Sequence, residues 1–332
     1  GSQEPDTLEL IARANVKALG VIYHPTSDMF RFEMDDPFQG ECGTTKRKIL
    51  ITYSRLYDPL GFLAPITIIP RMLFQHCWTK SLDWDTRLDP EDTGVWVKWL
   101  ETTKRHLPEI CVPRNLMAAK PVKTQLYCFT DGSSKAFGAV IYLRATYQDG
   151  SVSVGFVAGK GRLAPLKRAT IPRTELLGAV LGAKLTVQVK KAIAADEVLF
   201  LSDSETVLWW LQLKTKQLQL YVGNRVRQVN LLSDNACWKH VPGHLNPADH
   251  PTRGLQANKI CDSNWFQGPA FLITGILPPQ PRIGPTPEGE KEVKKLTDES
   301  VFQVKEVPCP KLGDLTWQKH VKASQEASES YE

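Results

Sequence analysis

The sequence lacks the features that mark several large classes of protein. Its seven cysteines include no Cys-x-x-Cys pair, so neither a structural zinc site nor a disulfide framework is indicated, and reduced thiols in an intracellular compartment are the simpler interpretation. No signal peptide opens the chain, and the longest apolar run, 59–70, is too short to span a membrane and contains Pro65. The net charge is only +5, which is compatible with a polyanionic partner but does not identify one.

The remaining composition is that of a globular protein. The 332 residues, 42% of them hydrophobic, suffice for two domains or more. The chain begins with Gly1-Ser2 and has no initiator Met, which suggests a fragment or a processed product.

The first part of the chain has two different patterns of predicted secondary structure. Residues 8–18 are predicted to form a helix, followed by a hairpin of two short strands at 19–23 and 29–32. From 45 to about 118 the apolar periodicity is helical, with three helices interrupted by the turn at Asp58-Pro59-Leu60-Gly61. A small, mostly helical region is therefore predicted there.

After Lys123 the pattern becomes that of an α/β domain. The predicted elements, in order, are strands 125–130, 137–146 and 151–160, helix 172–193, strand 197–202, helices 205–213 and 222–232, strand 237–241 and a short helix from Asn246 or Pro247. This order, β-β-β-α-β-α-α-β-α, predicts a mixed sheet with helices on its faces. Beyond Gly275, closely spaced prolines and a Lys/Glu/Ser-rich composition predict a linker and a largely disordered tail.

Four acidic residues stand where predicted elements begin or end. Asp131 and Asp203 follow apolar strands, Glu175 lies in the first turn of the long helix, and Asp249 lies in the predicted last helix. Carboxylates that converge repel one another unless a cation neutralises them. Mg²⁺ accepts such oxygens, and two ions can drive phosphodiester hydrolysis. Each acid alone has a structural explanation, as a turn, a helix-terminal charge or a cap; their order on this topology favours a metal site.

The segments around these acids resemble the successive motifs of retroelement ribonuclease H domains: Thr130-Asp131-Gly132-Ser133, Arg173-Thr174-Glu175-Leu176, Leu201-Ser202-Asp203-Ser204, and Val241-Pro242-Gly243-His244-Leu245-Asn246-Pro247-Ala248-Asp249. Other segments resemble the region after the reverse transcriptase palm in BEL/Pao-type LTR retrotransposon polyproteins: Lys46-Arg47-Lys48-Ile49-Leu50, Tyr57 to Pro65, Leu82-Asp83-Trp84-Asp85, Asn224-Arg225-Val226 and Trp265-Phe266-Gln267-Gly268-Pro269. The resemblance covers roughly residues 15–275.

The resemblance implies a domain plan. Residues 1–44 would be the end of a reverse transcriptase palm, 45–118 a thumb or connection region, and 119–275 a ribonuclease H-like domain with a mixed five-stranded sheet and flanking helices. Residues 276–332 would be the Pro-rich linker and tail. The polymerase's own paired catalytic aspartates have no counterpart, so this chain alone is not expected to polymerise DNA.

The resemblance also implies a site. Asp131, Glu175, Asp203 and Asp249 would bind Mg²⁺, with Mn²⁺ equally suited to oxygen ligands, and His244 would assist product release or proton transfer. The family usually follows its last Asp with an apolar-Ser-Arg-Gly stretch, whereas this chain has His250-Pro251-Thr252-Arg253-Gly254. We expect Pro251 to alter the short helix that positions Asp249, while Arg253 would either contact phosphate or stabilise that helix.

The implied function is cleavage of the RNA strand in an RNA/DNA hybrid, within a cytoplasmic particle or the nucleus. Its partners would be the hybrid and the missing fingers and palm of the same polyprotein, and no membrane. The alternatives are a catalytically weak or inactive nucleic-acid-binding remnant and a transposase- or integrase-like nuclease. Of Trp209 and Trp210, at least one is expected in the core, whereas the basic residues that follow have two equal explanations, a phosphate contact or a solvated face: Lys214, Lys216, Arg225 and Arg227.

Overall fold

Two β-sheets and the helices around them form the part of the chain that the computed structural model describes, residues 16–18, 21–38, 43–167 and 170–294. The strands are β1 Val16–Ala18, β2 Val21–His24, β3 Met29–Phe32, β4 Cys111–Pro113, β5 Lys123–Gly132, β6 Ala136–Thr146, β7 Val152–Leu163, β8 Glu197–Ser202 and β9 Trp238–His240. The helices are α1 Lys46–Ser54, α2 Ala64–Thr79, α3 Pro90–His106, α4 Ile171–Val189, α5 Glu205–Gln212, α6 Leu220–Leu232, α7 His250–Arg253, α8 Phe271–Thr274 and α9 Pro287–Glu290. Within these ranges no helix is long and apolar enough to cross a membrane.

The larger sheet has five strands in the order β7-β6-β5-β8-β9. Strands β5, β6 and β7 form an antiparallel meander, whereas β8 pairs with β5 in parallel and β9 pairs with β8 in parallel. The mixed sheet and the order of its elements confirm the α/β prediction. The parallel pairing of β5 and β8 brings their carboxyl ends to the same edge of the sheet.

Each face of this sheet has its own apolar core, because successive side chains of a strand point to opposite faces. Leu126 and Cys128 of β5 face the core beneath α4, α5 and α6. Tyr127 and Phe129 face the other core, which also holds Trp99 of α3 and aromatic residues of the first sheet. The N-terminal region and the five-stranded sheet therefore share one continuous core.

The first sheet has the order β1-β2-β3-β4 and corrects two details of the sequence analysis. Residues 16–18 form a strand rather than the end of a helix; the remainder of the predicted helix, 8–15, lies outside the described residues. Strands β2 and β3 form the predicted hairpin. The strand β4, which lies in the region predicted to be helical, joins this hairpin by pairing with β3. A three-residue strand carries too little local pattern to be recognised, and its partner is distant in sequence.

The turn before α2 fixes the helical region to β7. The Asp58 carboxylate accepts hydrogen bonds from the backbone N–H groups of Phe62 (2.9 Å) and Leu63 (2.6 Å), and burial raises its pKa to about 6. Gly61 has φ +76° and presses against Gly159, so a Cβ placed on it would lie 1.7 Å from the Gly159 carbonyl oxygen. The Leu60 carbonyl accepts a bond of 2.8 Å from the Gly159 N–H. Only a glycine fits at position 61.

Residues 280–294, which we call the strap, correct the predicted linker. Gln280 exchanges two hydrogen bonds with the backbone of His240 at the edge strand β9, and the Trp210 indole donates to the Gly289 carbonyl (3.1 Å). Val293 forms a bridge with Leu218. The prolines thus shape an extended segment that packs on α5 and the turn before α6. The rest of the predicted tail, 295–332, lies outside the described residues.

Replacing Gly61 by Ala is expected to lower the free energy of unfolding by about 3 kcal/mol or more, because a new methyl group must displace backbone at a positive φ. Gly94→Ala is the matched control: it lies exposed in α3 with nothing within 4 Å of a new Cβ, and the change should stabilise by about 0.5–1 kcal/mol. Urea unfolding of both variants measures the difference. Equal stabilities would contradict the packing described for the turn.

Candidate functional site

Two of the predicted acids stand side by side at the carboxyl edge of the sheet. Asp131 is the second-last residue of β5, and Asp203 directly follows β8. The parallel pairing of Thr130 with Ser202 sets the two aspartates next to each other, Asp131 in β5 and Asp203 just past the end of β8. Their adjacency follows from the register of β5 and β8.

Glu175 reaches the same edge because two glycines let α4 approach β5 closely. A Cβ on Gly132 would lie 2.3 Å from the Glu175 backbone nitrogen, and one on Gly178 would lie 2.4 Å from the Asp131 carbonyl oxygen. Such distances exclude any side chain at either position without movement of the backbone. The Asp-Gly-Ser sequence suggests only a turn at Gly132. The structure shows that this glycine also allows α4 to contact β5 closely.

Short polar side chains hold these carboxylates in place. The Ser204 hydroxyl donates to Glu175 Oε2 (2.6 Å) while Ser204 also caps α5. Asn246 is buried, and its Nδ2 donates both to Asp203 Oδ1 and to the Thr130 carbonyl, each at 3.1 Å. Asn246 thereby links the last segment of the domain to the ends of β5 and β8.

The fourth acid, Asp249, begins the short helix α7 and pairs with Arg253 one turn later. The Thr252 hydroxyl bonds to Asp131 Oδ2, and the Thr252 carbonyl accepts from Ser133 (3.0 Å). Pro251 occupies the first turn of this helix, where its missing N–H has no intrahelical partner to lose, and it packs against Gly138 and Gly161. Arg253 was expected either to contact phosphate or to stabilise this helix. In the structure it bonds to Asp249, four residues earlier in the same segment.

Burial and mutual repulsion raise the pKa values of three of the four carboxyls. Burial is the main cause and the Asp203 charge the second in raising the pKa of Asp131 to about 6. Burial likewise raises the pKa of Glu175 to about 7, with Asp203 and Asp131 adding to the rise, and it raises the pKa of Asp203, with Asp249 adding to the rise. Asp131, Asp203 and Asp249 thus each act on another of the acids, and Glu175 is acted on by two of them, which places the four in one cluster.

The chemistry of this donor set fits a hard divalent cation. Carboxylate oxygens are the ligands that Mg²⁺ and Mn²⁺ take, and a cation would relieve the repulsion that the raised pKa values record. As the side chains lie, no three His, Cys, Asp or Glu among the described residues form a ready-made metal cage. Asp249 differs from the other three acids. It is half-exposed, and its carboxylate is paired with the Arg253 guanidinium.

His244 lies at the rim of the cluster. It is exposed in the short turn Gly243–Leu245, next to Asp203: a Cβ on the preceding Gly243 would lie 3.2 Å from Asp203 Oδ2. His240 is a residue of β9, as predicted, and its charge lowers the pKa of Asp203. The structure therefore brings His244 to the site without fixing its side chain there.

Two residues of the site were not predicted from the sequence. Asn246 and Thr252 bond directly to Asp203 and Asp131, yet neither stood out, because an Asn before Pro signals a turn and a Thr carries no special chemistry. The one feature of the sequence that could have pointed to Thr252 is its spacing, three residues after Asp249. Trp210 is in the core, as predicted for one of the two tryptophans, while Lys214 and Lys216 are exposed.

The sheet order, the flanking helices and the acids at its carboxyl edge define a ribonuclease H-like α/β domain. Residues 45–204 match the family model of the Pao retrotransposon-like RNaseH-like domain, which confirms the resemblance. Asp131, Glu175 and Asp203 lie inside the matched segment, whereas His244 and Asp249 lie beyond it.

Solved structures give more distant likenesses. The N-terminal RNase H domain of a Mycobacterium tuberculosis protein is 19% identical, with a TM-score of 0.29, covering 40% of this chain and 95% of that one. RNase H1 of Halobacterium salinarum is 20% identical, with a TM-score of 0.25, covering 42% and 98%. The foamy viral protease-reverse transcriptase in complex with double-stranded DNA is 14% identical, with a TM-score of 0.25, covering 69% and 45%. No curated protein matches the chain at a significant level.

The raised pKa values predict how stability depends on pH without divalent ions. A carboxyl whose pKa is higher in the folded than in the unfolded state adds stability at low pH that is lost as pH rises through the folded value. With Asp131 at about 6 and Glu175 at about 7 in the folded state, against ordinary values near 4, the free energy of unfolding should fall between about pH 4 and pH 7.

The variant Asp203→Asn should flatten this fall, because it removes the charge that raises the pKa of both other acids. Asp58, whose pKa is also about 6, contributes equally in both proteins and cancels from the comparison. Urea unfolding in EDTA across this pH range measures the two curves. Parallel curves would show that Asp203 does not act on Asp131 and Glu175.

Proposed function

We propose that the domain hydrolyses the RNA strand of an RNA/DNA hybrid. The observation that carries this proposal is the convergence of Asp131, Glu175, Asp203 and Asp249 at one edge of a ribonuclease H-like sheet, where burial, with mutual repulsion as the smaller cause, raises the pKa of three of them. A carboxylate cluster destabilises a domain unless a ligand uses it, and a hard cation with a phosphate is the ligand that this set suits.

The four carboxylates would hold one or two Mg²⁺ or Mn²⁺ ions. Ions bound in this way supply an activated water and stabilisation of the leaving oxygen in an in-line phosphodiester displacement. The chain itself supplies the positioning: Ser204 orients Glu175, Asn246 orients Asp203 and Thr252 orients Asp131. Arg253 would hold Asp249 until the site is filled.

Selectivity for RNA would come from contacts to 2′-hydroxyls and from the shape of the hybrid duplex. The loop after β5, with Ser133 and Lys135 beside the acids, is on the surface where such contacts fall. The basic residues Lys214 and Lys216 are exposed and available to phosphates of the second strand.

The larger assembly is also part of the proposal. Residues 1–44 and 45–118 would be the end of a palm and a thumb or connection region, with the polymerase centre supplied by another part of the same polyprotein. The shared core and the Gly61–Gly159 contact support a connection region that moves as one body with the nuclease domain.

Two other functions remain to be separated from this one. A non-catalytic nucleic-acid-binding remnant has no physical reason to retain a repulsive buried cluster. A transposase- or integrase-like nuclease would act on double-stranded DNA. Comparing cleavage of hybrid, double-stranded DNA and single strands distinguishes the three.

The purified chain with Mg²⁺ is expected to cleave a labelled RNA/DNA hybrid in its RNA strand, leaving 3′-hydroxyl and 5′-phosphate ends. Asp203→Asn should lower the cleavage rate by roughly a thousandfold or more, since losing a metal ligand removes several kcal/mol of transition-state stabilisation. Hybrid binding should change little. Gel analysis of the products and a filter-binding assay measure the two effects.

The matched control is Asp149→Asn, an exposed aspartate in the turn between β6 and β7, which should cleave at the normal rate. A hybrid that stays intact while the protein binds it would support the remnant instead. Cleavage of double-stranded DNA in preference to hybrid would support the transposase-like alternative.

His244→Ala is expected to lower multiple-turnover cleavage by roughly tenfold to a hundredfold, as for loss of a proton-transfer or product-release group beside the site. An equal loss in single-turnover cleavage assigns proton transfer; a loss confined to multiple turnover assigns product release. Unchanged rates in both assays would remove His244 from the site.

A further inference from the structure

The strap ends beside the first turn of α4, the helix that carries Glu175. The Gln219 N–H donates to the Glu292 carbonyl (2.7 Å), and the Lys294 N–H donates to the Gln217 carbonyl (2.8 Å). These bonds lay the last residues of the strap along the turn before α6. The strap therefore lies where α4, α6 and the exposed lysines 214 and 216 meet.

A buried acid of the strap is paired with an arginine two residues from Glu175. Glu292 is 8% exposed, and its Oε1 accepts a hydrogen bond of 2.6 Å from Arg173 Nε. The Arg173 guanidinium also lies over the Tyr221 ring, 4.9 Å from its centroid. The pair is the only ion pair found between the described part of the strap and the rest of the described chain.

A second arginine completes the cluster. Arg225 covers the Tyr221 ring at 3.4 Å from the centroid, and its Nη1 donates to the Tyr221 carbonyl (2.9 Å). Two polar atoms here are buried and have no hydrogen-bond partner within the described chain, Arg225 Nε and Glu292 Oε2. Two guanidinium groups thus contact one ring, and of the two only Arg173 is paired with the Glu292 carboxylate.

This arrangement suits a phosphate better than the carboxylate it holds. A guanidinium presents a planar fork of donors that matches phosphate oxygens, and phosphate has more acceptor oxygens than one carboxylate. A buried donor or acceptor left without a partner costs free energy. A backbone phosphate at this position could accept from Arg173 and from the unpartnered Arg225 donor.

We propose that Glu292 is an internal substitute for a nucleic-acid phosphate, and that the strap competes with the hybrid for a phosphate site made by Arg173, Arg225 and Tyr221. The proposal rests on the proposed function for the identity of the nucleic acid. The site binds a backbone phosphodiester away from the scissile bond, and the strap weakens that contact until the duplex displaces it.

Only the last residues of the strap, which carry Glu292, would have to move. The strap's helix α9 has four residues, and its last part is held by few backbone bonds, the kind of segment that opens locally at low cost. The strap as a whole is formally neutral, with Glu288, Glu290 and Glu292 balanced by Arg282, Lys291 and Lys294, so the competition is local to Glu292. A phosphate bound by Arg173 would repel the Glu292 carboxylate as it replaces it.

Hybrid binding of Glu292→Gln tests the proposal. All proteins carry Asp203→Asn so that the hybrid stays intact, and the Kd of a fluorescent RNA/DNA hybrid is measured over a salt series. Glu292→Gln should bind roughly fivefold more tightly at low salt. Its plot of log Kd against log salt should be steeper by about 0.9, as for one additional phosphate contact.

The matched control is Glu290→Gln, which removes the same charge from an exposed position two residues away and should bind like the parent. The double variant Arg173→Gln/Glu292→Gln should lose the gain in affinity and the steeper slope. Equal effects of Glu290→Gln and Glu292→Gln, or a gain that survives in the double variant, would overturn the proposal and leave the proposed function standing. No hybrid binding by any of these proteins would overturn both.

Amide hydrogen exchange tests the same point in the parent protein, without a variant that must fold. Adding hybrid should speed exchange of the Gln219 amide, whose acceptor is the Glu292 carbonyl. Slower exchange of this amide on hybrid binding would mean that the strap stays in place, and would contradict the proposal.

Discussion

The site depends on how closely α4 approaches the end of β5. Gly132 and Gly178 allow backbone to meet backbone there, and this contact sets Glu175 beside Asp131. The parallel register of β5 and β8 then adds Asp203. Without the two glycines the helix would stand off the sheet, and the carboxylates would be solvated separately instead of sharing one buried cluster with raised pKa values.

The cluster is stabilised by neighbours that are themselves part of the fold. Asn246 bonds to both the strand end and Asp203, and Thr252 bonds to Asp131 from the short helix α7. The last segment of the domain therefore closes over the carboxylates and orients them, while Arg253 neutralises Asp249. On the other face, the Gly61 turn fixes the helical region to β7, so that both parts of the chain rest on the same sheet.

The sequence predicted the α/β domain and its acids because those signals are local: apolar strands ending in Asp131 and Asp203, and a long amphipathic helix beginning near Glu175. It did not predict β4 or the strap, because a three-residue strand and a proline-rich segment owe their structure to distant partners such as β3 and Trp210. The place of Pro251 in a first turn could not be predicted either, because a proline in a first turn and one in a helix interior look alike in sequence.

We propose that these carboxylates form a divalent-cation site. Anomalous diffraction from crystals of the chain soaked in Mn²⁺ tests this most directly. We expect one or two anomalous peaks within ligand distance of Asp131 and Asp203, with Glu175 or Asp249 completing the coordination. Ordered carboxylates with no anomalous peak between them would contradict it.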